Sequence, residues 1–233
     1  MTVPRKAIRS MRFENLSFAF EGAPAIFSNM TLSVPSSPVL WVRSPSGKGK
    51  STFLRLLAGL LTPSSGNYLI NDQVVNEMSF EEFLPYRLAI GYGFDMGGLL
   101  NNRTLAENLI LPLLFHKLMT QEAAQKRIEQ ITDFFEMSAL RDLRPYSVSG
   151  SQRKLSCVLR AFIHDPQIVL LDEPEIGLKE DSLKKLTRFI EDSLAQGRVR
   201  QLILCGESRH LVKHLAAQEF HLFKNENNER AAA

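Results

Sequence analysis

Ser44-Pro45-Ser46-Gly47-Lys48-Gly49-Lys50-Ser51-Thr52 decides the fold class of this chain. It follows the apolar run Val39-Leu40-Trp41-Val42 and leads into Phe53-Leu54-Arg55-Leu56-Leu57-Ala58-Gly59. A strand, a glycine-containing turn and a helix start, in that order, are the setting of a phosphate-binding loop. In such a loop, backbone N–H groups surround the phosphates, the Lys50 ammonium reaches the outer ones and the Ser51 hydroxyl is a ligand for Mg²⁺. The helix N-terminus adds partial positive charge. The pattern G-x-x-x-x-G-K-[ST] departs at its first position, where Ser44 replaces glycine. Serine enters a glycine turn less easily, so a slightly altered loop is expected.

Downstream, Ile168-Val169-Leu170-Leu171-Asp172-Glu173-Pro174 is apolar until it ends in two carboxylates. A continuous apolar run of this length reads as a strand buried on both faces of a parallel sheet. Acids at the carboxyl end of such a strand lie where open α/β sheets bind ligands. Asp172 suits Mg²⁺, directly or through water, and Glu173 suits a base that orients an attacking water.

Length and composition narrow the classes. At 233 residues the chain fits one domain with a large core. The net charge of +3 is too small to argue for nucleic acid, because lysines and arginines are interspersed with acids. Cys157 and Cys205 are the only cysteines and read as buried free thiols in a reducing setting. The five histidines show no metal spacing with cysteine; His210 and His214 are four apart but lack the H-E-x-x-H chemistry. The basic start, Met1 to Arg12, has no apolar h-region. No apolar run reaches membrane-spanning length: Leu109 to Phe115 contains Pro112 and stops at His116-Lys117. Work at a membrane would therefore require docking on another subunit.

Short alternating segments at 13–20 and 30–34 flank a turn around Glu21-Gly22-Ala23-Pro24 and predict an antiparallel hairpin. The loop helix is expected over 50–60, strands over 67–70 and 88–94, and a capped short helix at Ser79-Phe80-Glu81-Glu82. Helical periodicity dominates from Thr104 to Leu140, and strand and helix alternate again from Gln167. The expected organisation is a single domain over 1–233, with a helical insertion over about 96–165 and a polar tail over 226–233.

Between the two acid-and-phosphate elements lies Tyr146-Ser147-Val148-Ser149-Gly150-Ser151-Gln152-Arg153-Lys154-Leu155. With Arg160-Ala161 following, and Asp172 some twenty residues on, this resembles the nucleotide-binding subunit of ABC transporters, whose signature reads LSGGQ. Here it is Val148-Ser149-Gly150-Ser151-Gln152, with Ser151 in place of the second glycine. The resemblance runs from about Arg12 to about Asn225. It implies an α/β P-loop NTPase of ABC type with a mixed core sheet, an antiparallel β subdomain and an inserted α-helical subdomain. It implies ATP and Mg²⁺ as ligands, a transmembrane permease partner, and a homodimer or heterodimer with another ABC ATPase in which one subunit's signature closes over the other's nucleotide. No nucleic-acid partner is implied, and the expected place is the cytoplasmic face of the inner membrane, held peripherally.

The resemblance also marks departures. Phe20 stands where the family stacks an aromatic ring on adenine; it reads equally as a core strand residue. Asp95 stands for the family's Mg²⁺-sensing glutamine, Lys179 for an aspartate after Gly177-Leu178, and Glu207 for the switch histidine that holds the γ-phosphate. An ionised glutamate repels that phosphate: two like unit charges at ~4 Å and an effective dielectric near 20 interact by roughly 4 kcal/mol. Weakened hydrolysis is the expectation unless Glu207 turns away, protonates or finds a cation. Lys179 of an opposing subunit is one expected cation. The segments Phe94-Asp95-Met96-Gly97-Gly98-Leu99-Leu100 and Leu105-Ala106-Glu107-Asn108-Leu109-Ile110-Leu111-Pro112-Leu113 look like the ATPases of MCE-type lipid transporters. Two alternatives stay open: a non-hydrolysing pseudo-ATPase half of a heterodimer, and a soluble ABC protein outside transport.

Overall fold

Strands apolar at every position must be covered twice, and the chain folds so as to cover them twice. The computed structural model describes residues 4–95, 98–207 and 209–223. A five-stranded sheet takes β3 (Val39–Arg43), β6 (Ile90–Gly93), β7 (Ile168–Asp172), β8 (Gln201–Cys205) and β9 (Gln218–His221) in the order β6-β7-β8-β3-β9, every pair parallel. A four-stranded antiparallel sheet takes β1 (Met11–Phe18), β2 (Phe27–Ser33), β4 (Ser65–Ile70) and β5 (Gln73–Val74) in the order β2-β1-β4-β5. The two pairing directions that a mixed core implied are thus divided between two sheets.

The pleat sorts the apolar strands into two cores. Leu40, Val42, Ile168, Leu170, Ile203 and Cys205 face a core shared with the antiparallel sheet and α1 (Lys50–Leu57). Their neighbours Val39, Trp41, Val169, Leu171, Leu202 and Leu204 face a second core. That second core is filled by α3 (Leu105–Phe115), α4 (Gln121–Phe134), α5 (Gly150–Phe162) and α6 (Glu180–Ala195). The predicted elements are present with shifted ends: α1 stops at Leu57 rather than 60, and β6 is shorter than 88–94. Ser79 does form a capping box, at the start of α2 (Phe80–Arg87). Cys157 and Cys205 are both buried thiols, outside any disulfide.

The first described residues strap the two halves together. Arg5 donates to the carbonyls of His164 and Asp165, Lys6 N to Pro85 O at 3.1 Å, and Ile8 N to Gln167 Oε1 at 2.8 Å. No helix among the described residues is long and apolar enough to cross a membrane. The 226–233 tail lies outside the described residues, as do Met96, Gly97 and Ser208.

Candidate functional site

The carboxyl ends of β3, β7 and β8 meet in one place, and the candidate residues gather there. After β3 the chain turns through residues 44–49 into α1. Gly47 (φ 75°) and Gly49 (φ 81°) both occupy the left-handed region. At Gly49 a Cβ would stand 2.7 Å from both Ile26 Cγ2 and Phe27 Cζ, so a side chain there has neither the backbone nor the space. Ser44 answers the expected distortion. Its φ is not positive, so it needs no glycine, and its hydroxyl donates to Lys48 O at 2.7 Å. The serine closes the turn with its side chain. Pro45, Ser46, Gly47 and Lys48 are exposed, Thr52 is buried within the first turn of α1, and that turn holds no acid. The N–H groups at that end remain suited to an external anion.

Asp172 is 1% exposed, and its Oδ1 accepts from Ser51 Oγ at 2.9 Å and from Cys205 Sγ at 3.1 Å. A serine hydroxyl beside a carboxylate is the donor set by which a protein holds Mg²⁺ together with a phosphate oxygen. Among the described residues no cluster of three or more His, Cys, Asp or Glu could hold a metal alone. The Ser51–Asp172 donor pair fits a cation that shares its coordination with a phosphate oxygen.

Glu173 sits at φ 45°, a left-handed conformation costly for a non-glycine residue. Burial raises its carboxyl above the usual range, while the Glu207 N–H and the Lys50 charge oppose the rise. Its Oε2 accepts from Glu207 N at 3.2 Å, and a Cβ on Gly206 would stand 2.9 Å from the same oxygen. Two residues on, Glu175 accepts from His210 N and Leu211 N, both at 3.1 Å, at the start of α7 (His210–His214).

The departures acquire partners. Lys154, on α5, is 8% exposed and donates to Phe94 O at 3.2 Å, Asp95 O at 2.6 Å and Asp172 O at 3.2 Å. The Asp95 carboxylate lies 3.4 Å from the same ammonium. Burial lowers the Lys154 ammonium, and Asp95 opposes that shift. The charge that Asp95 introduces is thus compensated within the chain. Glu207 also finds a cation, and it is Lys50: Nζ to Oε1 is 3.2 Å. Lys179, the expected partner of Glu207 across a dimer, donates its backbone N–H to Ser151 Oγ at 3.3 Å within the subunit, a contact that does not involve its ammonium.

Ser149 caps α5: its Oγ accepts from Gln152 N, and Gln152 Oε1 accepts from Ser149 N. Ser149 and Gly150 are exposed. Phe20 is 43% exposed, packs edge-on against Phe18 at 5.0 Å and belongs to neither core. The core-strand reading of Phe20 is therefore not what the fold shows. His210 and His214 stack on one another at 4.1 Å.

Sequence reasoning missed Lys154, Glu175, Cys205 and Gly206 as parts of this site. Lys154 had a signal, since it lies in phase with Val158 and Ala161 on the apolar stripe of α5. The others depend on how β7 and β8 align.

A model of the ABC transporter family matches residues 27–175. The chain belongs to the ABC transporter family. Among relatives of this ABC cassette, methionine import ATP-binding protein MetN 2 of Paraburkholderia xenovorans is 34% identical over 73% of this chain and 44% of its own length. The probable ribonucleotide transport ATP-binding protein mkl of Mycobacterium tuberculosis is 34% identical over 80% of this chain and 52% of its own. This ABC chain thus spans about half the length of the curated relatives it matches. Among solved structures, the dimeric MJ0796, a bacterial ABC transporter cassette, superposes with a TM-score of 0.79 at 22% identity, covering 91% of this chain and 94% of that one. Its post-hydrolysis dimer with ADP and Pi gives 0.78 at 23%, over 91% and 93%. At these identities the likeness establishes the ABC cassette fold.

Proposed function

We propose that the chain binds Mg-ATP through Lys50, Ser51 and Asp172 and serves as the ATP-binding subunit of a membrane transporter, with slow hydrolysis of its own. The observation that carries the reading is the convergence of the Ser51 hydroxyl and the Asp172 carboxylate, 2.9 Å apart, beside the Lys50 ammonium at the mouth of a glycine turn. Mg²⁺ held there supplies charge neutralisation of the outer phosphates. Glu173 is the base toward water, Phe20 the exposed ring for adenine, and Ser149 to Gln152 the surface offered to a second subunit's nucleotide. Calorimetry on Lys50→Ala tests the core of this: nucleotide affinity is expected to fall at least tenfold, and unchanged affinity removes the assignment.

Docking on a permease is supported by a groove of about 520 Å³ between α2 and α3, walled by Leu84, Phe94, Leu111 and Phe115. Phe115 is 73% exposed. Two guanidinium groups, Arg87 and Arg160, line the groove, both lowered by burial, while burial pulls His164 down to about 3 and leaves it an uncharged imidazole near neutral pH, its Nδ1 buried without a hydrogen-bond partner. An apolar helix carrying a carboxylate matches such a groove. Phe94 also lines the groove, and its carbonyl binds Lys154, which ties the groove to Asp172. The substrate class follows from the segments at 94–100 and 105–113, whose resemblance is to lipid-transport ATPases; Met96 and Gly97 lie outside the described residues.

A second reading, the non-hydrolysing half of a heterodimer, is favoured by one observation, the Glu207 carboxylate on Lys50. Phosphate release by the purified transporter separates the two. Release that survives Glu173→Gln in this chain assigns turnover to another subunit.

A further inference from the structure

Lys50 already holds an anion, and the chain supplies it. Its Nζ lies 3.2 Å from Glu207 Oε1 and 3.3 Å from Ser44 O. The two partners are unequal: the lysine side chain is 11% exposed and the glutamate 72%. The cation is fixed in the turn, and the acid reaches it from the rim.

The backbone beneath the acid is pinned. Glu207 N donates to Glu173 Oε2, and the preceding carbonyl, Gly206 O, accepts from Trp41 Nε1 at 3.2 Å. Arg43 and Arg209 cover the Trp41 ring at 4.2 and 5.5 Å. Lys50 and Glu207 line a cavity of about 380 Å³ with Ser44, Ser46, Trp41 and Arg209. The Gly206–Glu207 peptide is thus held through both its N–H and its carbonyl, and the exposed Glu207 side chain reaches the phosphate-facing ammonium.

We infer that Glu207 is a specificity-determining residue, a tethered carboxylate that stands on Lys50 in place of a terminal phosphoryl group and biases the site toward nucleoside diphosphates over triphosphates. This rests on the nucleotide-site reading above. A diphosphate brings one fewer charged group toward the carboxylate. A triphosphate adds its outermost group on the side where Lys50 meets Glu207, and must either share the lysine with a like charge or expel the acid. A neutral side chain of the same shape removes that competition.

The test compares the 233-residue chain with its Glu207→Gln variant, using Mg-ADP and the Mg complex of a non-hydrolysable β,γ-imido ATP analogue in calorimetry. Glu207→Gln is expected to tighten the triphosphate analogue at least tenfold and ADP less than threefold. Glu207→Asp, which keeps the charge, is expected to stay near the parent ratio. A ratio unchanged by Glu207→Gln, or both ligands tightening equally, overturns the inference. If neither ligand binds any of these proteins, the nucleotide-site reading itself is overturned, and this inference with it. The glutamate is mostly exposed, so a melting curve matching the parent is expected to show the variant folded.

Discussion

Single residues at this site do work that their positions in a motif do not announce. Ser44 replaces a glycine and compensates through its hydroxyl on Lys48 O. Ser44→Ala is therefore expected to weaken nucleotide binding more than Ser44→Gly, which restores the family residue; the reverse order in calorimetry would show that the hydroxyl contact is idle. Lys154 is the more exacting case. Its ammonium satisfies carbonyls at the ends of β6 and β7, and Lys154→Met leaves three of them without this donor. The expected cost is about 3 kcal/mol in urea unfolding, and a loss under ~1 kcal/mol would mean that water replaces it. The phosphate loop and the acidic strand were legible because nine and seven consecutive residues contain them. Lys50 with Glu207, or Lys154 with Phe94, were not, because those partners are 157 and 60 residues apart and meet only through strand order.

At the scale of elements, α5 is where signature, lysine and sheet come together. Its start is set by the Ser149–Gln152 capping box, and Ser149→Ala is expected to cost about 1 kcal/mol, whatever its effect on a second subunit. Its body lies directly on β6, and that contact depends on Gly91, while Gly93 makes room for Leu171 of β7. A Cβ at Gly91 would overlap the Ala161 carbonyl, and one at Gly93 would stand 2.7 Å from Leu171 Cδ2. Backbone cannot yield as a side-chain tip does, so Gly91→Ala is expected to destabilise by about 2 kcal/mol or more and Gly93→Ala by less. Thermal melts of the two variants check the order. The sequence placed the helix and the strand but not this contact. The Gly91-Tyr92-Gly93 alternation reads as a weak strand until a helix is laid against it.

At the scale of the whole molecule, short chains of contacts join separate parts: Lys154 links Phe94 in the groove wall to Asp172, and Ser151 in the signature accepts from the backbone of Lys179. Phe115→Glu is expected to abolish co-purification with the membrane partner while leaving nucleotide affinity within about twofold; retained co-purification would remove the groove as the docking face. The fold class was readable from the phosphate loop, the acidic apolar strand and the signature at 148–152, whereas the division into two cores was not, because strands such as β7 are apolar on both faces. The groove was not legible in the sequence, because Leu84, Arg87, Phe94, Leu111 and Arg160 come to it from separate segments. Glu173 and Glu175 fasten their own turn to residues 207, 210 and 211 by three hydrogen bonds, and the same turn runs on to Lys179. The phosphate-facing acid and the loop offered to a second subunit are therefore riveted to one plate. Thermodynamic reciprocity then applies to them as a pair. Whatever factor a docked subunit imposes on nucleotide affinity by gripping Lys179, nucleotide must impose on that subunit in return. A factor of one in both directions would mean that the rivets open before either ligand feels the other.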